Sequence, residues 1–219
     1  MTHTLLTLGD SYTIGEGLPI DESFPYQAVR LLRTTGHSFF APEIVARTGW
    51  TTDELASGIA RAHLLPEYNF VTLLIGVNNQ YRGRLPLEYR GEFEGLLRQA
   101  IQFAHGRTER VSVLSIPDWS VTPFAASLLP DANGRDRARV AREIDAFNGI
   151  AERIAGQYEV EFIDITSHSR SNPSQSLSPV PGSSSAAPWF APDGLHPSGE
   201  QYRYWAEQLT RRIVARLTE

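Results

Sequence analysis

Near its start the chain reads Thr4-Leu5-Leu6-Thr7-Leu8-Gly9-Asp10-Ser11-Tyr12. The apolar residues of this stretch predict a buried β-strand over residues 4–8. The glycine and the polar residues that follow predict a turn toward a helix. A strand that runs directly into such a turn is typical of the first unit of an α/β sheet.

The rest of the chain repeats this alternation of short apolar runs and longer segments with helical periodicity. The strand candidates are residues 4–8, 43–46, 70–75, 111–116 and 160–165. The helix candidates lie near residues 24–35, 52–64, 86–104, 135–156 and 198–217. Several of the runs are apolar on both faces, as buried parallel strands are. The pattern predicts one domain over residues 1–219, an α/β fold with helices on both faces of a doubly wound sheet.

One segment interrupts the alternation. Residues 166–192 contain nine serines and five prolines, with no helical or strand periodicity. A stretch of this length and composition is typical of a functional lid or an inserted loop. We therefore expect a loop or lid insertion within the domain.

Composition excludes several classes of chemistry. The chain has no cysteine, and all 20 of its basic residues are arginine, so thiol catalysis, cysteine-bound zinc and lysine Schiff bases are excluded. The formal net charge of −5 argues against a nucleic-acid partner. No apolar run reaches the roughly 20 residues of a membrane span. Because a core-like strand follows the first residues at once, we expect a cytoplasmic protein; nothing in the sequence specifies an oligomeric state.

Ser11 is a candidate nucleophile, because the end of the first strand is where an α/β sheet presents residues to a ligand. A serine hydroxyl needs a base within hydrogen-bond reach. The candidate base is His196, and Asp193 three residues upstream can accept the proton on its Nδ1. The alternatives are a helix-capping turn at Ser11 and a Pro-Asp-Gly turn at Asp193. A metal pair is a further alternative, but the other histidines show no ligand spacing.

Acyl transfer also needs hydrogen-bond donors for a developing oxyanion. The predicted edge of the sheet offers the backbone N–H groups of Ser11 and Gly49 and the side-chain amide of Asn78. A glycine allows close backbone approach, and an asparagine amide donates without becoming charged.

The blocks Gly9-Asp10-Ser11, Gly49, Gly76-Val77-Asn78 and Asp193-x-x-His196 together resemble the SGNH (GDSL) hydrolase family. The resemblance spans nearly the whole chain, with the blocks in the family's order. It implies a flavodoxin-like three-layer α/β/α sandwich whose five-stranded, mostly parallel sheet has the order 2-1-3-4-5. It also implies ester hydrolysis without metal or cofactor.

The resemblance also assigns roles to individual residues. Ser11, Asp193 and His196 would form a catalytic triad, with Ser11, Gly49 and Asn78 as oxyanion donors. The family's third block commonly ends in aspartate, whereas this chain has Asn79 there. We expect that exchange to affect the structure of the loop.

Aromatic side chains lie near the predicted active edge, and they suggest an apolar acyl pocket or a surface for a sugar ring. The residues expected to contribute to substrate binding are Asp10, Trp50, Asn79 and Trp119. We expect a small ester with a short acyl chain as the substrate. A carbohydrate O-acetyl esterase, a lysophospholipase and a thioesterase are alternatives within the same resemblance.

Two other classes of protein compete with this prediction. A flavodoxin-like module could bind a nucleotide or flavin at the first loop without catalysis, although Glu16 in that loop would repel phosphate. An interaction protein could use the Ser/Pro-rich segment to bind a partner. The first alternative leaves Asp193 and His196 unexplained, and the internal position of the segment favours a lid over a tail.

Overall fold

The computed structural model describes residues 2–171 and 189–218. These residues form a five-stranded sheet. Its strands are β1 (Leu5–Asp10), β2 (Glu43–Arg47), β3 (Phe70–Leu74), β4 (Val111–Leu114) and β5 (Glu161–Ile163). Most of the predicted loop or lid, residues 172–188, lies outside the described residues.

The strand order is β2-β1-β3-β4-β5, and each neighbouring pair is parallel. This confirms the order that the family resemblance implies. The central strands β1, β3 and β4 are buried along their whole length, and the edge strands β2 and β5 are only partly buried. Burial on both faces accounts for the continuous apolar runs in the sequence of the central strands.

Two layers of helices cover the sheet, as in an α/β/α sandwich. In the described part of the chain the helices are α1 (Ser11–Ile14), α2 (Phe24–Thr34), α3 (Thr52–Arg61), α4 (Val77–Tyr81), α5 (Pro86–Phe103), α6 (Pro123–Leu128), α7 (Arg137–Gln157), α8 (Thr166–Arg170) and α9 (Gly199–Leu217). The last of these packs against α2, whereas α3 packs against α5 and α5 against α7. Within the described residues, none of the helices has the length and hydrophobicity that a membrane span requires.

The long helices begin where the sequence predicts them. At the start of α3 the Glu54 carboxylate accepts the Thr51 N–H at 2.9 Å, which completes a capping box. Asp136 caps α7 by accepting the Arg139 N–H at 2.7 Å. Pro86 opens α5, at a position where its missing N–H needs no partner.

The short helices were not predicted, because one turn leaves no periodic pattern in a sequence. They are α1, α4, α6 and α8. The last corrects the expectation that residues 166–192 lack helical structure, since Thr166–Arg170 form a turn of helix. The strand bounds also shift: β1 continues to Asp10, and β5 covers only Glu161–Ile163 of the predicted residues 160–165.

Gly9 allows α1 to fold back over the end of β1. A Cβ atom at this position would lie 2.5 Å from the Leu74 carbonyl oxygen and would also overlap the Thr13 side chain. Such distances are shorter than packed carbon and oxygen atoms tolerate. The missing side chain therefore fixes how closely α1, and with it Ser11, approaches the sheet.

We expect Gly9→Ala to lower the free energy of unfolding by about 1–3 kcal/mol, because the added methyl group overpacks this contact. Urea unfolding measures the change. Gly91→Ala is the matched control: Gly91 lies in α5, and a Cβ there meets no atom within 4 Å. That substitution should raise stability by about 0.5–1 kcal/mol. Equal stability of Gly9→Ala and the wild type would contradict the packing argument.

Candidate active site

A cavity of about 230 Å³ opens at the carboxyl end of the sheet. Its walls come from loops that follow β1, β2, β3 and β4 and from the segment before α9. The lining residues are Ser11, Tyr12, Thr48, Gly49, Val77, Asn78, Tyr81, Trp119, Phe124, Leu195 and His196. Because the strands are parallel, their carboxyl ends share one edge, and this edge is where ligands bind in such folds.

Ser11 is the first residue of α1 and is buried at the base of the cavity. Asp10 caps the helix by accepting the Tyr12 N–H at 3.0 Å. The helix ends after one turn at Gly15, which adopts a left-handed conformation with φ of 76°. The first N–H groups of a helix have no partner within it, so the Ser11 N–H is available to a bound group.

His196 links Ser11 to Asp193. The His196 Nε2 atom lies 2.9 Å from the Ser11 hydroxyl, and its Nδ1 atom lies 2.5 Å from an Asp193 carboxylate oxygen. The second carboxylate oxygen accepts the N–H groups of Leu195 at 2.8 Å and His196 at 3.0 Å. Partial burial opposes ionisation of Asp193, but these hydrogen bonds outweigh it and hold its pKa below the ordinary value.

Backbone hydrogen bonds hold the segment that carries Asp193 and His196. The Ala191 N–H donates to the His196 carbonyl at 2.8 Å, and the Gly194 N–H donates to the Ala191 carbonyl at 2.9 Å. The Gly194 carbonyl accepts the Phe124 N–H at 3.0 Å, which joins this segment to α6. The backbone that carries His196 is therefore held both by bonds within its own segment and by the bond to Phe124 of α6.

Gly49 and Asn78 lie together in the cavity wall. Gly49 has a φ of 82°, in the left-handed region that favours glycine. Among the described residues no acceptor takes its N–H. The Asn78 amide nitrogen donates to the Trp50 carbonyl at 3.0 Å and has a longer contact of 3.4 Å with Asp10. One of its hydrogens is thus firmly bonded, and the other is only weakly held.

Asp10 is fully buried beneath this wall. Burial raises its pKa to about 7, against the lowering effect of the hydrogen bonds from the Tyr12 N–H and the Asn78 amide. It does not line the cavity, so the structure places it behind Ser11 and Asn78 and out of reach of a substrate.

Of the other residues expected to bind substrate, the structure brings only Trp119 into the cavity. Trp50 lies against Gly58 of α3, where the glycine leaves room for its indole ring. Asn79 is buried and bonded to Thr52, whose N–H it accepts at 3.1 Å and whose hydroxyl it contacts at 2.6 Å. The polar groups of Asn79 are thus used to join α4 to the start of α3.

Three aromatic side chains form one wall of the cavity. Trp119 is buried, and its indole N–H donates to the Gln80 side chain at 2.7 Å. The ring of Tyr81 meets that of Trp119 edge to face at 5.3 Å, and the ring of Phe124 does so at 6.4 Å. Tyr81 is 41% exposed, so its ring extends the aromatic wall to the rim.

The sequence did not point to several residues at this site. Thr48, Val77 and Leu195 line the cavity beside predicted site residues, and only their proximity in sequence to those residues could have suggested them. Arg82 donates to the Gly49 carbonyl at 2.6 Å across 33 positions of sequence. No local pattern predicts such a contact. Trp189, an aromatic residue four positions before Asp193, packs on His168, with ring centroids 4.9 Å apart, and does not line the cavity.

A serine hydroxyl bonded to a histidine, whose other ring nitrogen faces a carboxylate, is the arrangement found in serine hydrolases. The fold and the site thus define the class of serine hydrolases, and a comparison of the sequence with protein families agrees with it. Residues 7–204 match the model of the GDSL-like Lipase/Acylhydrolase family. The chain therefore belongs to this family, as the four sequence blocks predicted, and it is a serine ester hydrolase.

Solved structures of other proteins share the fold. A lipase/acylhydrolase from Enterococcus faecalis is 17% identical, with a TM-score of 0.71 over 98% of this chain and 96% of that one. An acetylxylan esterase from Geobacillus stearothermophilus is also 17% identical, with a TM-score of 0.69 over 96% and 94%. A psychrotrophic esterase from Pseudoalteromonas sp., seen inhibited by monoethylphosphonate, is 14% identical, with a TM-score of 0.63 over 99% and 100%. No curated protein sequence matches this chain.

The raised pKa of Asp10 predicts how stability depends on pH. The folded protein keeps the Asp10 proton up to about pH 7, whereas the unfolded chain releases it near its ordinary pKa of 3.8. Between these values the folded state binds more protons, so the free energy of unfolding falls as pH rises. Asp10→Asn keeps the helix cap but does not titrate. From pH 5 to pH 8 the wild type should lose about 2–3 kcal/mol relative to this variant.

Urea unfolding at the two pH values measures this difference. The same pH dependence in both proteins would contradict a buried, titrating Asp10.

Proposed function

We propose that this protein is a metal-independent carboxylesterase that hydrolyses short-acyl esters through an acyl-enzyme on Ser11. The observation that carries the proposal is the 2.9 Å contact between the Ser11 hydroxyl and His196 Nε2 within an apolar cavity. A serine hydroxyl in direct hydrogen-bond contact with a base, which is itself oriented by a carboxylate, is the arrangement that activates a serine nucleophile.

In the first half of the reaction His196 accepts the Ser11 proton as the hydroxyl oxygen attacks the ester carbonyl carbon. Asp193 holds the imidazole in the required tautomer and stabilises its protonated form. The tetrahedral intermediate then collapses, the bond to the alcohol oxygen breaks, and His196 gives its proton to that oxygen. In the second half a water molecule gives a proton to His196 and attacks the acyl carbon. The second tetrahedral intermediate then collapses, the bond to the Ser11 oxygen breaks, and His196 returns the proton to that oxygen as the acid leaves.

Three donors would stabilise the oxyanion of both tetrahedral intermediates: the N–H groups of Ser11 and Gly49 and the Asn78 amide. The Gly49 N–H, which no acceptor in the described part of the chain takes, supports this assignment. For Asn78 the support is the hydrogen that is not bonded to the Trp50 carbonyl and has only the 3.4 Å contact with Asp10. Removal of one oxyanion donor from a serine hydrolase costs about 3–4 kcal/mol of transition-state stabilisation.

The size and chemistry of the cavity support a short acyl group. Its volume of about 230 Å³ is below the roughly 300–1,000 Å³ of pockets that hold drug-sized ligands. The rings of Trp119 and Phe124, together with Leu195, give it an apolar lining. A small apolar group fits this space, whereas a long chain would extend past the rim.

A second candidate is the removal of O-acetyl groups from a carbohydrate. The exposed ring of Tyr81 at the rim of the cavity favours it, because aromatic faces pack on sugar rings and the acetyl group would occupy the space beneath. The acetylxylan esterase that shares this fold acts on such a substrate. The same nucleophile and base would serve both reactions.

Labelling with a fluorophosphonate probe tests the nucleophile directly. The wild type should take up one label by intact mass, and Ser11→Ala should take up none. His196→Ala should react at least 100-fold more slowly, because the hydroxyl loses its base. Turnover of nitrophenyl acetate should fall by about 10⁴-fold or more in both variants.

Ser127→Ala is the matched control, since Ser127 is an exposed serine of α6 whose hydroxyl bonds only within its own helix among the described residues. It should label and turn over like the wild type. Esterase activity retained by purified Ser11→Ala would contradict the proposed function.

A series of nitrophenyl esters from acetate to palmitate tests the acyl group. We expect kcat/KM to be highest for acyl chains of two to about six carbons, because longer chains leave the cavity. A maximum at long chains would contradict the short-acyl assignment and favour a lysophospholipase or thioesterase. Faster release of acetate from acetylated xylooligosaccharides than from nitrophenyl acetate would favour the carbohydrate substrate.

A further inference from the structure

The loop between β2 and α3 is held by two side chains from α4 and its C-terminal cap. The Arg82 guanidinium donates to the Gly49 carbonyl at 2.6 Å, and the Asn78 amide donates to the next carbonyl, that of Trp50, at 3.0 Å. Asn78 and Arg82 are four positions apart, so both lie on the same side of this helical turn. Consecutive carbonyl groups of the loop are therefore held by one short helix.

Arg82 is itself held in place by an ion pair. Its Nη1 atom lies 3.3 Å from a carboxylate oxygen of Glu54, and the same oxygen accepts the Thr51 N–H at 2.9 Å. Glu54 thus joins the guanidinium to the first turn of α3. The guanidinium has two fixed partners, one at each side of the loop.

This support matters because the loop contains a glycine in the left-handed region. Glycine moves between backbone conformations more easily than any other residue. A change of the φ angle at Gly49 would alter the orientation of its N–H group relative to its carbonyl group, which Arg82 holds. A hydrogen bond from a charged donor is roughly twice as strong as one between neutral groups, so the Arg82 contact restrains this residue strongly.

We propose that Arg82 is a positioning residue that holds the Gly49 N–H toward the oxyanion. This inference rests on the proposed function, in which Gly49 is an oxyanion donor. Arg82 does not line the cavity and acts through the Gly49 carbonyl. Its guanidinium also lies close to the loop, with Nη2 3.6 Å from where a Cβ of Gly49 would be.

Replacing Arg82 should change catalysis more than stability. The ion pair with Glu54 is at the surface, with the two side chains 44% and 39% exposed. Exposed pairs of this kind contribute about 0–1 kcal/mol to stability. A misplaced oxyanion donor, in contrast, affects the transition state much more than the bound ester, because the charge develops only during the reaction.

The test compares Arg82→Ala and Arg82→Lys with Arg84→Ala, using nitrophenyl acetate. Arg84 is a matched control, because it also pairs with α3, through Asp53 at 2.7 Å, and has no contact with Gly49. We expect Arg82→Ala to lower kcat about 10–100-fold with KM changed less than threefold. Arg82→Lys should recover part of the loss, since an ammonium group can donate to the same carbonyl. Arg84→Ala should keep the wild-type kcat.

Wild-type kcat in folded Arg82→Ala, with Ser11→Ala inactive, would overturn the inference and leave the proposed function intact. An equal loss of kcat in Arg82→Ala and Arg84→Ala would also overturn it, because the loss would then result from a general weakening of the contacts of α3. Activity in Ser11→Ala would instead remove the proposed function. If Arg82→Ala does not fold, Arg82→Met carries the test, because methionine keeps a long side chain but has no hydrogen-bond donor: a kcat at least threefold below wild type at unchanged KM supports the inference, and a wild-type kcat overturns it.

Discussion

The hydrogen bond between the Ser11 hydroxyl and His196 Nε2 joins residues 185 positions apart in the chain. It exists because parallel strands place their carboxyl ends at one edge of the sheet, where the loops after β1, β2 and β3 meet. The segment before α9 returns to the same edge and brings the histidine ring over the serine. The cavity, its donors and its aromatic wall are arranged around this contact.

The polar groups behind the cavity are buried and bonded to one another, which makes the wall rigid. Asn79 illustrates this at the position where the family commonly has aspartate. Its amide contacts the Thr52 hydroxyl, and that hydroxyl contacts the Glu92 carboxylate. A chain of bonds that ends at a carboxylate needs a donor at its other end. Asparagine supplies that donor, and an ionised aspartate could not.

The short helix α4 joins a proposed oxyanion donor to the aromatic wall of the cavity. It provides Asn78 at one end and Tyr81 at the other, so a proposed oxyanion donor and the rim of the aromatic wall belong to one turn. Gln80 of the same turn accepts the indole N–H of Trp119. A shift of this helix would therefore move the donor, the wall and the loop of Gly49 together.

The sequence by itself determined the alternation of strands and long helices, because burial on both faces of a parallel strand requires a continuous apolar run. It also determined which residues follow the strands, and hence Ser11, Gly49 and Asn78 as candidates. Only the tertiary structure decided that Trp119 enters the cavity while Trp50 packs on Gly58, and that Arg82 reaches the Gly49 carbonyl. These outcomes depend on where side chains from distant elements meet, and local residue patterns carry no information about such distances.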